Sequence, residues 1–266
     1  MNLELNGKTA IITGGSRGIG KACARELALE GVDVAIVARN PEPLKLAADE
    51  LEKETGRRIV AIPADTTSDE SVKGMVEQAA SAFGHIDILV NSAAKAGGFA
   101  PEPRLPEVTD ADFWDDMNTK VMGYLRCARE VAPHMQRQRW GRIINISGLG
   151  ARNSGSILGS MRNVAVVAMT KNLADQLGPD GINVTVVHPG TTVTERRVQK
   201  DIEDARREGV SVEELEKRLA VNNAIRRLVT AQEIGYLVAF LASPKSVSIT
   251  GDVIAAGGGS GRAIYY

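Results

Sequence analysis

The chain has 266 residues, a formal net charge of -1, 43% hydrophobic and 24% charged residues, and two cysteines. With its basic residues dispersed, this balance gives no footprint for nucleic acid or an anionic membrane surface, and no apolar run reaches the roughly 18 residues that a membrane span needs. The start lacks a basic region followed by an apolar one, so a cytoplasmic protein is expected; Cys23 and Cys127 lack metal-ligand spacing and read as reduced core thiols, with no metal site.

No stretch has linker composition, so a single domain over residues 1–266 is expected. Its first strand, Thr9 to Ile12, feeds a turn containing Gly14, Gly15, Gly18 and Gly20. A helical pattern follows in which Ile19, Cys23 and Leu27 share one side. Strand, glycine turn and helix make a phosphate-binding unit: the helix start offers unpaired N–H groups and partial positive charge, and glycines let a pyrophosphate come close. The spacing T-G-x-x-x-G-x-G, Thr13 to Gly20, resembles the short-chain dehydrogenase/reductase superfamily, and the resemblance extends along almost the whole chain. It implies a nicotinamide cofactor held by Gly14, Ser16, Arg17, Gly18, Ile19 and Gly20.

The second strand, Val32 to Val37, ends at Ala38, Arg39 and Asn40. No acid stands at this ribose-binding edge, and Arg39, assisted by Arg17, favours NADP(H) over NAD(H); the alternative is that both arginines are solvated surface groups. A helix is predicted over Pro41–Thr55 and a third strand over Ile59–Ile62, followed by Asp65 and Thr66. The resemblance assigns Asp65 to the adenine amino group, although alone it could equally be a turn residue. Ser68 opens a helix whose Val72, Met75, Val76 and Ala79 recur at helical spacing. Ile86 to Val90 is the fourth strand, and the following Asn91-Ser92-Ala93-Ala94 is similar to the superfamily's N-N-A-G, keeping Asn91 and Ala93.

A long helix is predicted from Asp110 to about Gln136, with Phe113, Met117, Val121, Tyr124, Leu125, Cys127, Ala128 and Val131 on one arc. Lys120 falls inside that arc, either snorkelling or lining a cavity. Ile143 to Ser147 is the fifth strand, Ser156 to Leu177 a helix, and Val184 to Val187 the sixth strand. The next loop looks like P-G-x-x-x-T, which implies cofactor contacts from Pro189, Gly190 and Thr194. The charged segment after it reads as a substrate lid by resemblance, residues 191–222, or as a solvated helix face. Ala231 to Leu241 is the last helix and Gly251 to Ile254 the seventh strand. Alternating strands and helices give a Rossmann-like, doubly wound α/β fold with a seven-stranded parallel sheet and helices on both faces.

The resemblance implies a catalytic tyrosine, a lysine four residues later, a serine and an asparagine. Ser147 matches the serine. Aligning through Ala168-Met169-Thr170-Lys171 puts the tyrosine position at Gly159 and the lysine position at Asn163; the asparagine position, three before Gly123, is Lys120. None of Tyr124, Tyr236, Tyr265 and Tyr266 precedes a lysine by four. Ser147 and Lys120 are therefore the candidate catalytic residues and Asn163 a candidate cofactor residue. Lys120 either titrates in the space left by the missing side chains or makes a buried hydrogen bond to a backbone carbonyl and nothing more.

Three functions follow: an NADP(H)-dependent oxidoreductase with a non-standard proton relay, a non-redox enzyme (lyase, hydratase or hydrolase type) on the same fold, or an inactive NADP-binding sensor or regulator. Lys95, Arg152, Arg162, Arg196 and Arg197 suggest a small anionic substrate. A homodimer or homotetramer is expected through the helices carrying Lys120 and Gly159, the latter continuing with Val164, Val166 and Val167.

Overall fold

The structure, a computed structural model, describes residues 1–95, 103–262 and 264. Its strands are β1 (Thr9–Thr13), β2 (Asp33–Ala38), β3 (Ile59–Pro63), β4 (Ile88–Asn91), β5 (Gly141–Ile146), β6 (Ile182–Pro189), β7 (Thr192–Val193), β8 (Val229–Thr230) and β9 (Val253–Ala256). Seven of them form one sheet in the order β3-β2-β1-β4-β5-β6-β9, every pair parallel, while β7 and β8 pair separately. The helices are α1 (Gly18–Leu29), α2 (Pro41–Thr55), α3 (Asp69–Phe83), α4 (Asp110–Asp116), α5 (Gly123–Gln138), α6 (Ile157–Leu177), α7 (Glu195–Glu208), α8 (Val212–Leu219) and α9 (Ala231–Ala242).

β1, β4, β5 and β6 are buried at every residue, because a parallel sheet is covered on both faces and its strands are apolar without alternation. One face packs on Cys23 and Leu27 of α1, Leu44 and Leu51 of α2, and Ile234 and Val238 of α9. The other packs on Met75 and Val76 of α3, Cys127 and Val131 of α5, and Ala174 and Leu177 of α6. Cys23 and Cys127 are buried free thiols, each pushed up to about 12 by burial. The strand order reverses between β1 and β4, so the crevice beyond their C-terminal ends is where such a sheet binds ligands.

Several predicted boundaries move. Ser68 and Ser156 lie just outside their helices as caps, their Oγ atoms accepting from the N–H of Ser71 and Gly159. β4 begins at Ile88, and Asp87 just before it takes the N–H of Thr9 on its carboxylate at 2.9 Å. The expected single helix from Asp110 is broken by a π turn, Met117–Met122, in which the Gly123 N–H reaches Asn118 O, five residues back. Arg126 Nη1 holds the same carbonyl at 3.4 Å and Thr66 O at 3.3 Å, tying the irregular turn to the loop after β3. The β7–β8 pair was not expected, since strands of two residues carry no period.

Candidate active site

The glycine turn is shaped by close approach. Gly14 has φ 70°, and a Cβ there would stand 2.9 Å from Ser92 O; at Gly20 a Cβ would stand 2.3 Å from Gly14 O. Thr13 Oγ1 accepts from the N–H groups of Ser92 (3.0 Å) and Ala93 (3.2 Å), which joins the ends of β1 and β4. Arg17 precedes α1 without a side-chain cap bond, whereas α3, α6 and α7 are each capped by a serine or threonine. The Gly18 N–H is met from outside, by Glu195 Oε2 at 2.9 Å, and Gly18 also faces the Thr194 methyl. An uncapped helix start that already attracts a carboxylate, with glycines at its points of closest backbone approach, fits the pyrophosphate of a dinucleotide. Ser16 is half-buried and Arg17 exposed in that turn, and Ile19 packs inward.

At the end of β2, Arg39 is exposed. Asp65 Oδ1 accepts from Thr67 N (3.0 Å) and Thr67 Oγ1 (2.8 Å), an Asx turn that holds its carboxyl below the usual range, with the Arg39 and Arg126 charges assisting. Thr66 is buried beneath Gly123, where a Cβ would be 3.1 Å from Thr66 Oγ1. Asn91 Nδ2 donates to Asn145 Oδ1 (2.9 Å), and Asn145 Nδ2 donates to Thr170 Oγ1 (3.0 Å), so β4, β5 and α6 are linked by one buried polar chain.

Ser147 follows β5, and beside it lies Lys120, 4% exposed. Lys120 Nζ donates to Ser147 O at 3.0 Å and to Asn163 Oδ1 at 2.9 Å. Ser147 Oγ donates to Asn163 O at 3.1 Å. Burial, then the Arg162 charge, press the Lys120 amine down to about 7 against the opposing pull of Asp116. With two N–H groups committed, its remaining position is an N–H in the ammonium and a lone pair in the amine, so the group can give or take a proton near neutrality.

His188 Nδ1 accepts the N–H of Gly148 at 3.2 Å and fixes the backbone after Ser147. Burial, then Arg152 and Lys120, push this imidazole down to about 4, so it stays neutral. Tyr124 cannot stand in for a catalytic phenol: it is 1% exposed, donates to Ile146 O at 2.9 Å, and burial raises its pKa. Tyr236 is exposed on α9, and Tyr265 and Tyr266 lie outside the described residues.

Gly159 sits in the first turn of α6, against Ser156. Pro189 ends β6, Gly190 packs on Gly257 at a spacing that a Cβ would reduce to 2.9 Å, and Thr194 caps α7 through Arg197 N at 3.2 Å. Of the five basic residues expected around an anionic substrate, Lys95 pairs with Asp115, Arg162 with Asp116, and Arg197 with Asp201. Those carboxylates offset three of the five positive charges. Sequence reasoning missed Asp116, His188 and Glu195; only Asp116 left a signal, an acid four residues before Lys120 on the same helical face.

A family model described as enoyl-(acyl carrier protein) reductase matches residues 14–260. The chain belongs to the short-chain dehydrogenase/reductase superfamily. It is 33% identical over 255 residues to 3-oxoacyl-(acyl-carrier-protein) reductase FabG of Staphylococcus aureus (strain N315), covering 95% of this chain and 97% of that one. It is 34% identical over 251 residues to the short-chain reductase protein NovJ of Streptomyces niveus, covering 94% and 92%. Among solved structures of the superfamily, L-sorbose reductase from Gluconobacter frateurii, complexed with NADPH and L-sorbose, superposes with a TM-score of 0.93 at 28% identity, covering 99% of this chain and 100% of that one. A 7α-hydroxysteroid dehydrogenase complexed with NADH and 7-oxo glycochenodeoxycholic acid gives 0.84 at 30% identity, covering 97% and 96%. The parallel seven-stranded sheet with helices on both faces is the fold this superfamily member shares with them.

Proposed function

We propose that this chain is an NADP(H)-dependent oxidoreductase that moves a hydride between the nicotinamide and a carbonyl or hydroxyl carbon, with Lys120 as the proton donor or acceptor and Ser147 orienting the substrate oxygen. The observation that carries the reading is the Lys120 amine, buried between Ser147 O and Asn163 Oδ1 and pressed to about 7. A catalytic acid or base works best with a pKa near the operating pH. The superfamily's lysine and asparagine are, on this reading, exchanged: Lys120 stands at the asparagine position, Asn163 at the lysine position, and here the two side chains bond directly. No phenol replaces the tyrosine at Gly159, so Lys120 takes over its proton. Ser147 would turn its O–H from Asn163 O toward the substrate.

The cofactor, when bound, supplies or accepts the hydride. Its pyrophosphate is assigned to Gly14, Ser16, Gly18, Ile19 and Gly20, its 2′-phosphate to Arg39 and Arg17, and its adenine to Asp65 and Thr66. Asn91 and Ala93 would support the sheet edge beside it, Asn163 is assigned to its ribose, and Pro189, Gly190 and Thr194 would cover the nicotinamide end. Residues 191–222, with α7 and α8, are assigned as the substrate lid. The test is loss of the reduced-nicotinamide absorbance when NADPH is mixed with a panel of carbonyl compounds, repeated with Lys120→Met. Undiminished turnover in that variant overturns the assignment of Lys120.

A further inference from the structure

A second bridge runs beside the contact between Lys120 and Asn163. Arg162 Nη1 donates to Asp116 Oδ1, and the two side chains are 12% and 13% exposed. Asp116 closes α4, four residues before Lys120, and Arg162 immediately precedes Asn163. The two bridges thus join the same two segments, from positions four residues apart on one and adjacent on α6. Stability is a poor account of the second one. A desolvated ion pair is often no more stabilising than apolar residues filling the same space, and Arg162 Nε is buried with no partner among the described residues. What distinguishes the pair is its place, next to a π turn that departs from regular helix at Met117.

We propose that Asp116 and Arg162 are positioning residues for Lys120: their ion pair clamps the π turn onto α6, keeps the amine on Asn163, and sets opposite charges beside it. This rests on the reading of Lys120 as the proton carrier. Among the described residues, the charged or titratable groups around the amine are Asp116 at the end of α4, Arg162 on α6, and His188 at the end of β6 with Arg152 beyond it; Tyr124, on α5, turns its hydroxyl to Ile146 O. His188 is neutral at the pH of interest. The Arg162 charge disfavours the ammonium and the Asp116 charge favours it, so removing each one alone moves the amine in opposite directions. Mere loss of packing would admit water in either variant and move it upward in both.

The experiment follows the Lys120 Nζ resonance of 15N-lysine-labelled protein by NMR, assigned by its absence in Lys120→Met, through a pH titration. Relative to wild type, Arg162→Gln should titrate about one pH unit higher, Asp116→Asn about one unit lower, and the double variant between them. Arg162→Lys, which keeps the charge, should restore most of the wild-type value and serves if a charge-deleting variant does not fold. Upward shifts in both single variants, or no shift in either, overturn the proposal. The pH profile of kcat, read on the same proteins, separates the two claims. Opposite NMR shifts with an unmoved profile support the placement of the two charges beside the amine and refute Lys120 as the proton carrier.

Discussion

Lys120 Nζ meets Asn163 Oδ1 at 2.9 Å, joining the π turn to the second turn of α6. The nature of that acceptor matters. An amide oxygen takes a hydrogen bond but carries no formal charge, so it does not hold the ammonium as a carboxylate would, and burial lowers the amine to about 7. The same geometry with Asp in place of Asn163 would keep Lys120 charged at all physiological pH.

Stability should report this directly. Unfolded, Lys120 titrates near 10.4; folded, near 7. Below pH 7 it is protonated in both states, and the folded protein bears the full cost of the buried charge. Between pH 7 and about 10.4 the unfolded state binds more protons, so stability rises with pH, by at most about 1.4 kcal/mol per unit. Lys120→Met lacks this dependence. Its unfolding free energy relative to wild type should therefore fall steadily across that window, measured by urea titration at pH 6, 8 and 10. In the same variant turnover should drop by roughly 10²–10⁴ while NADPH affinity holds, the scale of a positioned acid or base. Parallel stability curves would show that the amine remains charged.

The glycine turn, the helices beside it and the seven sheet strands were legible because their signals are local: mostly apolar strand runs, glycines at a strand-to-helix junction, and apolar residues at helical spacing. The inward face of Lys120 was legible from helical period alone. Its acceptor was not, since Asn163 lies 43 residues away and only the fold brings them together. The π turn was equally hidden, because helical spacing from Asp110 to Gln136 carries no mark of it; Arg126 bonds Asn118 O and Thr66 O beside it only in the fold. Asp65 left both an adenine role and a turn role open; the structure supplies the turn through Thr67 without removing the other carboxylate oxygen.

Arg39, proposed to meet the 2′-phosphate, stands exposed just after β2. Arg39→Ala should weaken NADPH by about 1.5–3 kcal/mol, the scale of a hydrogen bond to a charged group, and leave NADH nearly unchanged. Fluorescence titration of both nucleotides decides it. Equal losses for the two would assign Arg39 to something other than the 2′-phosphate.

On α6, Ile157, Met161 and Val164 are 42%, 49% and 50% exposed and recur every three or four residues, so they form one apolar stripe. A second copy of the chain is the expected cover. Val164→Glu should lower the sedimentation coefficient at micromolar concentration to that of a 28.3 kDa monomer. A wild-type protein that already sediments as a monomer would refute this.

Gly159 is held by more than the absence of a phenol. A Cβ there would stand 2.7 Å from Ser156 Oγ, the atom that caps α6 by accepting the Gly159 N–H at 3.0 Å. Alanine in a helix normally gains about 1 kcal/mol over glycine, but here it displaces a cap worth about 0.5–2 kcal/mol. Gly159→Ala should therefore be neutral to destabilising in the native sequence and stabilising by up to about 1 kcal/mol once Ser156→Gly has removed both cap and crowding. Strict additivity in a urea-denaturation cycle would contradict the contact. Rebuilding the superfamily's residues with Gly159→Tyr and Asn163→Lys meets the same crowding and places a second ammonium beside Lys120. That double variant should lose stability and gain no turnover. Adding Ser156→Gly and Lys120→Asn removes the clash and the extra cation together, so the quadruple variant is the one expected to consume NADPH through a tyrosine. If the double variant alone is active with Lys120 in place, the two cations do not share a pocket and the exchange of lysine and asparagine is not functional.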